Sequence, residues 1–542
     1  MILCSGSSES LRNVMYLVEL FSETSGLRWN VGKCMYYSAS LPRSAWDRIA
    51  ALTGFSGSFE GFRYLGVPIF YGKPRQQHFR YILDKIIALY SHWNSLQLSM
   101  MGRVQLVKSI ISGMVLYSFL AYSWPIALLK ELDRVTRNFV WSGSHLESRR
   151  ITVAWGKACK PTEEGGLGLW FFKTLCKATL YKRTWDCMHS ADECFVALRW
   201  RWCGGNTSYL RSSIWQDIRV IWSSLRSDTS WILGRGTDIN FWNDRWCLDS
   251  SISDLLGLPE ATRDSLSASV NLFADSREWV IPEVILLKVP GLRKALQDTV
   301  LPCPDREDTP VWNLSQNGII SLRGIKEHLY ASGPSFSWGK RIWNKFVPPA
   351  RSCFVWKFLW NRIPTDEVCK QVGVSLASWC PICQCAMEST NHVFFECGQV
   401  KPVWVWFSNI FNVNFCCSSM QDMLELAFRK WKGIMQQISV ACIIHSIWHI
   451  WLSRNNCRFR NEIFSLSSLF ASLRASISIM NVDNSFCVKT WKDKQILNRL
   501  GIDCGIQVRR QPLQVLWYPP LSGYVKVNSD GGALGNPGHA GI

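Results

Sequence analysis

The sequence predicts a multi-domain, mainly α protein, and three observations carry that expectation. The chain has 542 residues, enough for about three or four ordinary domains. Apolar residues recur at helical spacing in several long segments, whereas strand-like alternation is confined to short runs. Near residue 390 the cysteines draw together with a histidine at spacings that suit a zinc-organised module.

The segment "ESLRNVMYLVELFSETSGLRWN" places Leu11, Met15, Val18, Leu20 and Phe21 at helical spacing and turns at Gly26. The run that follows, through "VGKCMYY", reads as a strand, so the amino end is helix followed by strand with mixed α/β character. Lys33 stands at the start of that strand: a positioned cation near a phosphate, or a solvated surface lysine. A helix is next expected where Phe79, Ile82, Leu83, Ile86, Ile87 and Tyr90 recur. A second starts after Ser99, with Val104, Leu106, Val107 and Ile110 inward and Arg103 and Lys108 on its exposed side. A third runs from about Leu128 to Trp141 and stops at Ser142 and Gly143.

Between about 170 and 330 the periodicity weakens. The Trp-rich "SWILGRGTDINFWNDRW" alternates like strands around Gly234 and Gly236, and "LPCPDREDTP" (301–310) reads as a linker. Helical patterns return in "GKRIWNKFVPPARSCFVWKFLWNRIP" and from Gln437 to Ser453. A final strand is expected in "YVKVNSDGG". Two uncharged stretches, Ser109–Leu129 and Gly433–Ser453, are interrupted by Gly113, Ser118 and Pro125, and by Gln436, Gln437, His445 and His449. They read as buried helices and not as membrane spans.

Charge narrows the partner. Sixty Lys and Arg against 41 Asp and Glu leave +19, which favours a polyanion, nucleic acid first; the alternative is a basic but inert surface. Hydrophobic residues make up 47% of the chain, which excludes a wholly disordered protein. The opening "MILCSGSSES" turns polar at once and does not resemble a secretory leader. An intracellular protein is therefore expected, nuclear or cytoplasmic, with its 21 cysteines reduced and any tight cluster of them metal-binding.

That cluster is "WCPICQCAMESTNHVFFEC". Cys380, Cys383, His392 and Cys397 offer three thiolates and one imidazole, which fill a zinc tetrahedron and leave no position for a reacting water. The zinc is therefore expected to be structural. Cys385 is a spare thiol that competes as ligand, and the alternative is a set of buried cysteines without metal. Upstream, Lys345, Arg351, Lys357 and Arg362 are interleaved with Trp343, Trp356 and Trp360. Cations that neutralise phosphate and rings that stack on bases make a nucleic-acid-binding surface; tryptophans at this spacing equally make a core. Asp530, at the end of an apolar strand before a Gly-rich turn, suits a divalent metal at a sheet surface or an ordinary Asp-Gly turn.

Taken in order, these blocks resemble the polyproteins of plant LINE-type (non-LTR) retrotransposons. "FSETSGLRWNVGKC" is similar to a palm segment of their reverse transcriptases, and "YLGVPIFYGK", "HWNSLQLSMMGRVQLVKSI", "RNFVWSG" and "VAWGKACKPTEEGGLGL" to the thumb and the region behind it. "ILGRGTDINFWNDRW", "IWNKFVPPARSCFVWKFLWNRIPT" and the Cys/His cluster resemble the connection and zinc-binding domain, "SIWHIWLSRN" the helix that follows, and "GYVKVNSDGGALGNPGHAG" the opening of a type 1 RNase H domain. The resemblance implies an α/β palm remnant over 1–60, a helical thumb-like region over 61–170 and a Trp-rich connection over 171–330. It further implies a zinc-stabilised helical domain over 335–410, a helical linker over 411–510 and a truncated RNase H-like α/β start over 515–542.

It also implies zinc on Cys380, Cys383, His392 and Cys397, and Asp530 as the first metal-binding aspartate of a ribonuclease that uses Mg or Mn. Lys33 falls near a lysine beside the nucleotide phosphates. RNA-directed DNA synthesis and hydrolysis of RNA–DNA hybrids are the activities of such a family. The remaining carboxylates of both centres are expected outside residues 1–542, so that an inactive, nucleic-acid-binding chain is the expectation, with a decayed gene product as the alternative.

Overall fold

The computed structural model describes the chain except for residues 1, 3, 39–40, 59–60, 71, 94–97, 150–151, 190–212, 264, 276, 331–332, 416–417, 481–486, 489, 503–504, 507–522, 524–531, 535–538 and 542. The described residues are mainly helical, as expected. The first helix, Ser8–Ser25, is capped by Ser7, whose side chain accepts the N–H of Ser10, and ends at Gly26 in the left-handed conformation. Of its apolar positions Leu11 alone is buried, while Tyr16, Leu17, Leu20 and Phe21 are exposed. Beyond it, Met35–Tyr37 pairs in parallel with Ser56–Ser58 across the helix Arg43–Thr53. That crossover closes tightly: a Cβ on Gly57 would lie 2.3 Å from the Trp46 ring.

The helix Gln76–His92 buries Phe79, Ile82, Leu83, Ile86 and Tyr90, the expected face. Ser99 then caps a continuous helical stretch, Met100–Ala121, that contains one wide turn over Val107–Ile111. The wide turn inserts a residue into the helical period. Its inward face is therefore Val104, Val107, Ile111, Val115 and Phe119, and Ile110, expected inside, is exposed. Arg103 corrects the expectation in the opposite sense. It is 9% exposed, and burial, with Arg149 nearby, holds its guanidinium below the usual arginine range. Burial likewise lowers Lys108. Met100–Ala121 is long and apolar enough to cross a membrane by length and composition, with a third of its most apolar window buried in the protein. Backbone leaves the helix at Tyr122, and a new helix, Ile126–Ser142, begins after Pro125.

One core runs through this helical region and on through the residues around the Cys/His cluster to Ile502. Gly165 shows why the "EEGGLGL" run is needed. At φ 73° its Cβ would meet the Trp338 ring at 2.7 Å, and its carbonyl accepts the indole N–H of both Trp356 (2.7 Å) and Trp360 (3.0 Å). Trp356 also stacks on Trp141, centroids 6.1 Å apart. The tryptophans at helical spacing therefore join two regions as core.

The Trp-rich middle contains two smaller cores, one around Trp185, Ile221 and Trp312, the other around Phe241, Trp246 and Leu292. Only Thr229–Ile232 of the expected alternating run is strand, paired antiparallel with Thr309–Trp312. The segment 301–310, expected as a linker, is exposed over Pro304–Glu307 and tied to the fold at Asp308. Asp308 accepts the backbone N–H of Gly234 (2.8 Å), Gly236 (2.9 Å) and Asp238 (3.0 Å), which folds the Gly-rich turn around one carboxylate. At the carboxyl end Gly532–Leu534 pairs antiparallel with His539–Gly541; the strand expected in "YVKVNSDGG" lies outside the described residues apart from Gly532.

Candidate metal centre

Three short elements bring the Cys/His set together. Cys380 and Cys383 lie on a turn closed by the Cys380 N–H on the Ala386 carbonyl (2.8 Å) and the Gln384 N–H on the Cys380 carbonyl (2.9 Å). Gln384 takes φ 54° to complete the knuckle. His392 opens a wide helical turn, His392–Glu396, and its N–H is capped by the Ser389 hydroxyl (3.0 Å). Because the turn is wide, the Cys397 N–H reaches the His392 carbonyl (2.8 Å) and returns the last thiol to the first two.

The four side chains each present one donor atom, all within 4.8 Å of one another, with Cys380 and Cys397 buried and the other two half-buried. The Cys383 sulfur is 3.2 Å from His392 Nε2. Tetrahedral zinc at about 2.3 Å from sulfur sets ligand atoms about 3.8 Å apart, a spacing that the 3.2 Å pair and the 4.8 Å limit bracket. Cys397 hydrogen-bonds to Cys380, and the Cys383 and Ile382 N–H groups add to it; together they pull the Cys380 thiol down to about 5. The shared proton and burial push Cys397 up in turn. Cys385 is exposed and directs its thiol at the Cys383 carbonyl (2.9 Å), away from this set.

A buried charge network lies directly behind the loop. Glu388 is 2% exposed and Asp366 3%, and both face Arg454, itself 2% exposed, on the 28-residue helix Gly433–Arg460. Arg454 grips Glu388 with two bonds, Nη2 to Oε1 (2.6 Å) and Nε to Oε2 (3.1 Å). Arg458, one turn on, holds Asp366 through both oxygens (3.1 and 3.3 Å). The Asp366 N–H donates to Glu388 (3.0 Å), and the Thr390 N–H to Glu367 (2.9 Å). Sequence reasoning missed this network. Its signal was Arg454 and Arg458, four residues apart, directly after a stretch, Gly433–Ser453, that carries no Lys, Arg, Asp or Glu.

The four candidate nucleic-acid-binding cations are placed unequally. Lys345 is exposed beside Phe346, and Arg362 is half-buried, donating to the Asn361 carbonyl. Arg351 points inward and donates to His445 Nδ1. Lys357 lies over the Trp141 ring, and burial lowers its ammonium pKa. Trp356 is fully buried, and Trp343 and Trp360 pack on the same core, so the interleaved rings are structural. Lys33 ends a short helical turn, Val31–Lys33; its side chain, like Asp530, lies outside the described residues.

A knuckle, a wide turn and a returning cysteine define a zinc-binding module of the kind found in reverse transcriptase: residues 323–404 match the family described as zinc-binding in reverse transcriptase. The match begins and ends somewhat earlier than the 335–410 drawn from the sequence, and it takes in most of the helix Leu322–Leu329. Over 496 residues, 88% of this chain and 77% of the relative, the sequence is 26% identical to an Arabidopsis thaliana protein whose name provisionally calls it a ribonuclease H protein. Together these likenesses support a retrotransposon reverse transcriptase/ribonuclease H-like protein.

Proposed function

We propose that the chain is a retrotransposon-derived nucleic-acid-binding protein in which a structural zinc on Cys380, Cys383, His392 and Cys397 organises the module that holds RNA, DNA or their hybrid. The observation that carries the reading is four donor atoms within 4.8 Å, inside the segment that matches a reverse-transcriptase zinc domain. With its shell filled by protein, such a zinc contributes folding energy and no reacting water. The Arg454–Glu388 pair then fixes the loop on the long helix.

The experiment is metal analysis of the purified chain beside fluorescence anisotropy with labelled RNA, DNA and hybrid. One zinc per chain, lost in Cys380→Ser and Cys397→Ser, with salt-sensitive binding to at least one nucleic acid, is the expected result. A metal-free chain with ordinary secondary structure, or no binding at low salt, overturns it. The likeness to a ribonuclease H protein raises a catalytic reading in which Asp530 helps to hold Mg or Mn. Hybrid cleavage that requires either ion and is lost in Asp530→Asn would add that activity.

A further inference from the structure

A basic cavity lies at the opposite end of the helix that carries Arg454. A cavity of about 810 Å³ opens where the helix Met420–Lys430 ends, the helix Gly433–Arg460 begins and the helix Trp491–Arg499 packs alongside. Arg429, Lys430, Lys432, Lys492 and Arg499 line it, against one carboxylate, Asp493. Phe411 and Ile496 contribute apolar floor, which keeps water from screening these charges fully.

Two of the cations are placed against their own helix fields. Lys432 is the N-cap residue of Gly433–Arg460 and makes no side-chain cap hydrogen bond. Lys492 stands in the first turn of Trp491–Arg499. A helix start carries partial positive charge and favours anions, so a lysine at that end is disfavoured unless an anion joins it. Arg429 and Lys430 are explained by the end of their own helix, which favours cations. Arg499 donates to the carbonyls of Asn409 and Ile410. Lys432 and Lys492 have no such explanation, and neither forms an ion pair with a described residue. Between Thr490 and Lys492, both of which line the cavity, Trp491 is 61% exposed. An indole left in water beside a cationic cavity is the arrangement that binds an unpaired base next to its phosphates.

We propose that this cavity docks the sugar–phosphate backbone of single-stranded nucleic acid, with Trp491 stacking on an adjacent base. The inference rests on the nucleic-acid-binding reading above and adds a place to it, remote from the zinc loop. It is tested on the full zinc-loaded chain with fluorescein-labelled oligo(dT) across a sodium chloride series. Wild type is compared with Lys430→Glu/Lys432→Glu/Lys492→Glu and with Trp491→Ala, all exposed positions, after circular dichroism and zinc content confirm the fold.

The triple variant is expected to flatten the log–log salt slope by about 2, roughly 0.7 for each phosphate of a single strand that is no longer neutralised. Trp491→Ala is expected to weaken binding roughly five- to hundred-fold with the slope unchanged. No binding by wild type would remove the general reading. Wild-type binding with unaltered affinity and slope in the triple variant would remove this site alone. Inorganic phosphate displacing the oligonucleotide more strongly than sodium chloride of equal ionic strength would mark a free-phosphate site and overturn the strand assignment. Equal affinity for duplex DNA, or wild-type affinity in Trp491→Ala, would overturn the stacking.

Discussion

Removing Arg454 should unclamp the zinc loop while leaving all four ligands in the sequence. In Arg454→Met the side chain keeps much of its apolar stem, but Glu388 loses its bidentate partner at 2.6 and 3.1 Å. Asp366 keeps Arg458, but the almost fully buried Glu388 is left with the Asp366 N–H and no cation. Breaking a buried ion pair from one side costs about 3–5 kcal/mol, because the remaining charge is stranded. Arg458 is half-buried and already engaged, so it offsets only part of this, and about 3 kcal/mol is expected. Several cores make whole-chain unfolding a poor probe. Amide hydrogen exchange of peptides covering 378–397 reads the local opening free energy directly. Protection there should fall by about two orders of magnitude, the equivalent of about 3 kcal/mol, while peptides in Gln76–His92 stay unchanged. Adding Glu388→Gln removes the stranded charge and should recover most of the loss. An effect of Arg454→Met below about 1 kcal/mol, the range of an exposed pair, would refute the claim that this network holds the loop.

Three further outcomes follow from the same structure. Chelating zinc should raise exchange specifically in 375–400, since the metal contributes folding energy where its ligands lie; unchanged exchange there would remove the metal from the account of the fold. Burial raises Asp133 from 3.8 to about 6, so the folded chain holds that proton more tightly than the unfolded one, and stability falls as pH rises through that window. Asp133→Asn keeps an acceptor for the Phe172 N–H (3.3 Å) and should stabilise by about 1–3 kcal/mol above the window and by nothing below it, as read from amide hydrogen exchange of the helix Ile126–Ser142 at either side. His445 and His449 are held down to about 4 by burial and then by Arg351. Their neutral forms therefore stabilise the fold at neutral pH, and that contribution is lost as pH falls from the ordinary histidine range toward 4. Proton uptake on unfolding at mildly acidic pH should drop in the His445→Gln/His449→Gln double variant; uptake equal to wild type would show that neither imidazole is buried neutral.

What the sequence made legible was whatever depends on local spacing. Periodicity identified Phe79, Ile82, Leu83 and Ile86 as one face, and the knuckle spacing identified all four zinc candidates, which the fold gathers within 4.8 Å. Misplaced residues depended on something a period does not encode. Ile110 changed sides within the wide turn of Met100–Ala121, and Arg103, one ordinary turn before the buried Val107, sits on the inward face despite its charge. Asp308 looked like part of a linker because its three N–H donors lie about seventy residues earlier in the chain. Arg351 and Lys357 read as part of a nucleic-acid-binding surface, yet one meets His445 and the other Trp141, each from a distant helix. The chain's net charge of +19 pointed to a polyanionic partner but not to a docking place, because the cations of the cavity lie in separate segments that meet only in the folded chain.

The helix Gly433–Arg460 sets the geometry that ties these sites together. Its first residues line the cationic cavity, and Arg454, twenty-one positions on, holds the zinc loop. At about 1.5 Å per residue the two ends are separated by roughly 30 Å. Its buried stretch from Ile438 to Ile450 is anchored in the main core, so it transmits position and not loose motion. A strand held at the cavity would therefore meet the zinc loop at a fixed span, and opening that loop would change orientation at the far end without touching the lysines. Loss of zinc should then weaken binding of oligonucleotides long enough to reach both places far more than short ones confined to the cavity. Equal weakening for both lengths would show that the helix is not a rigid spacer.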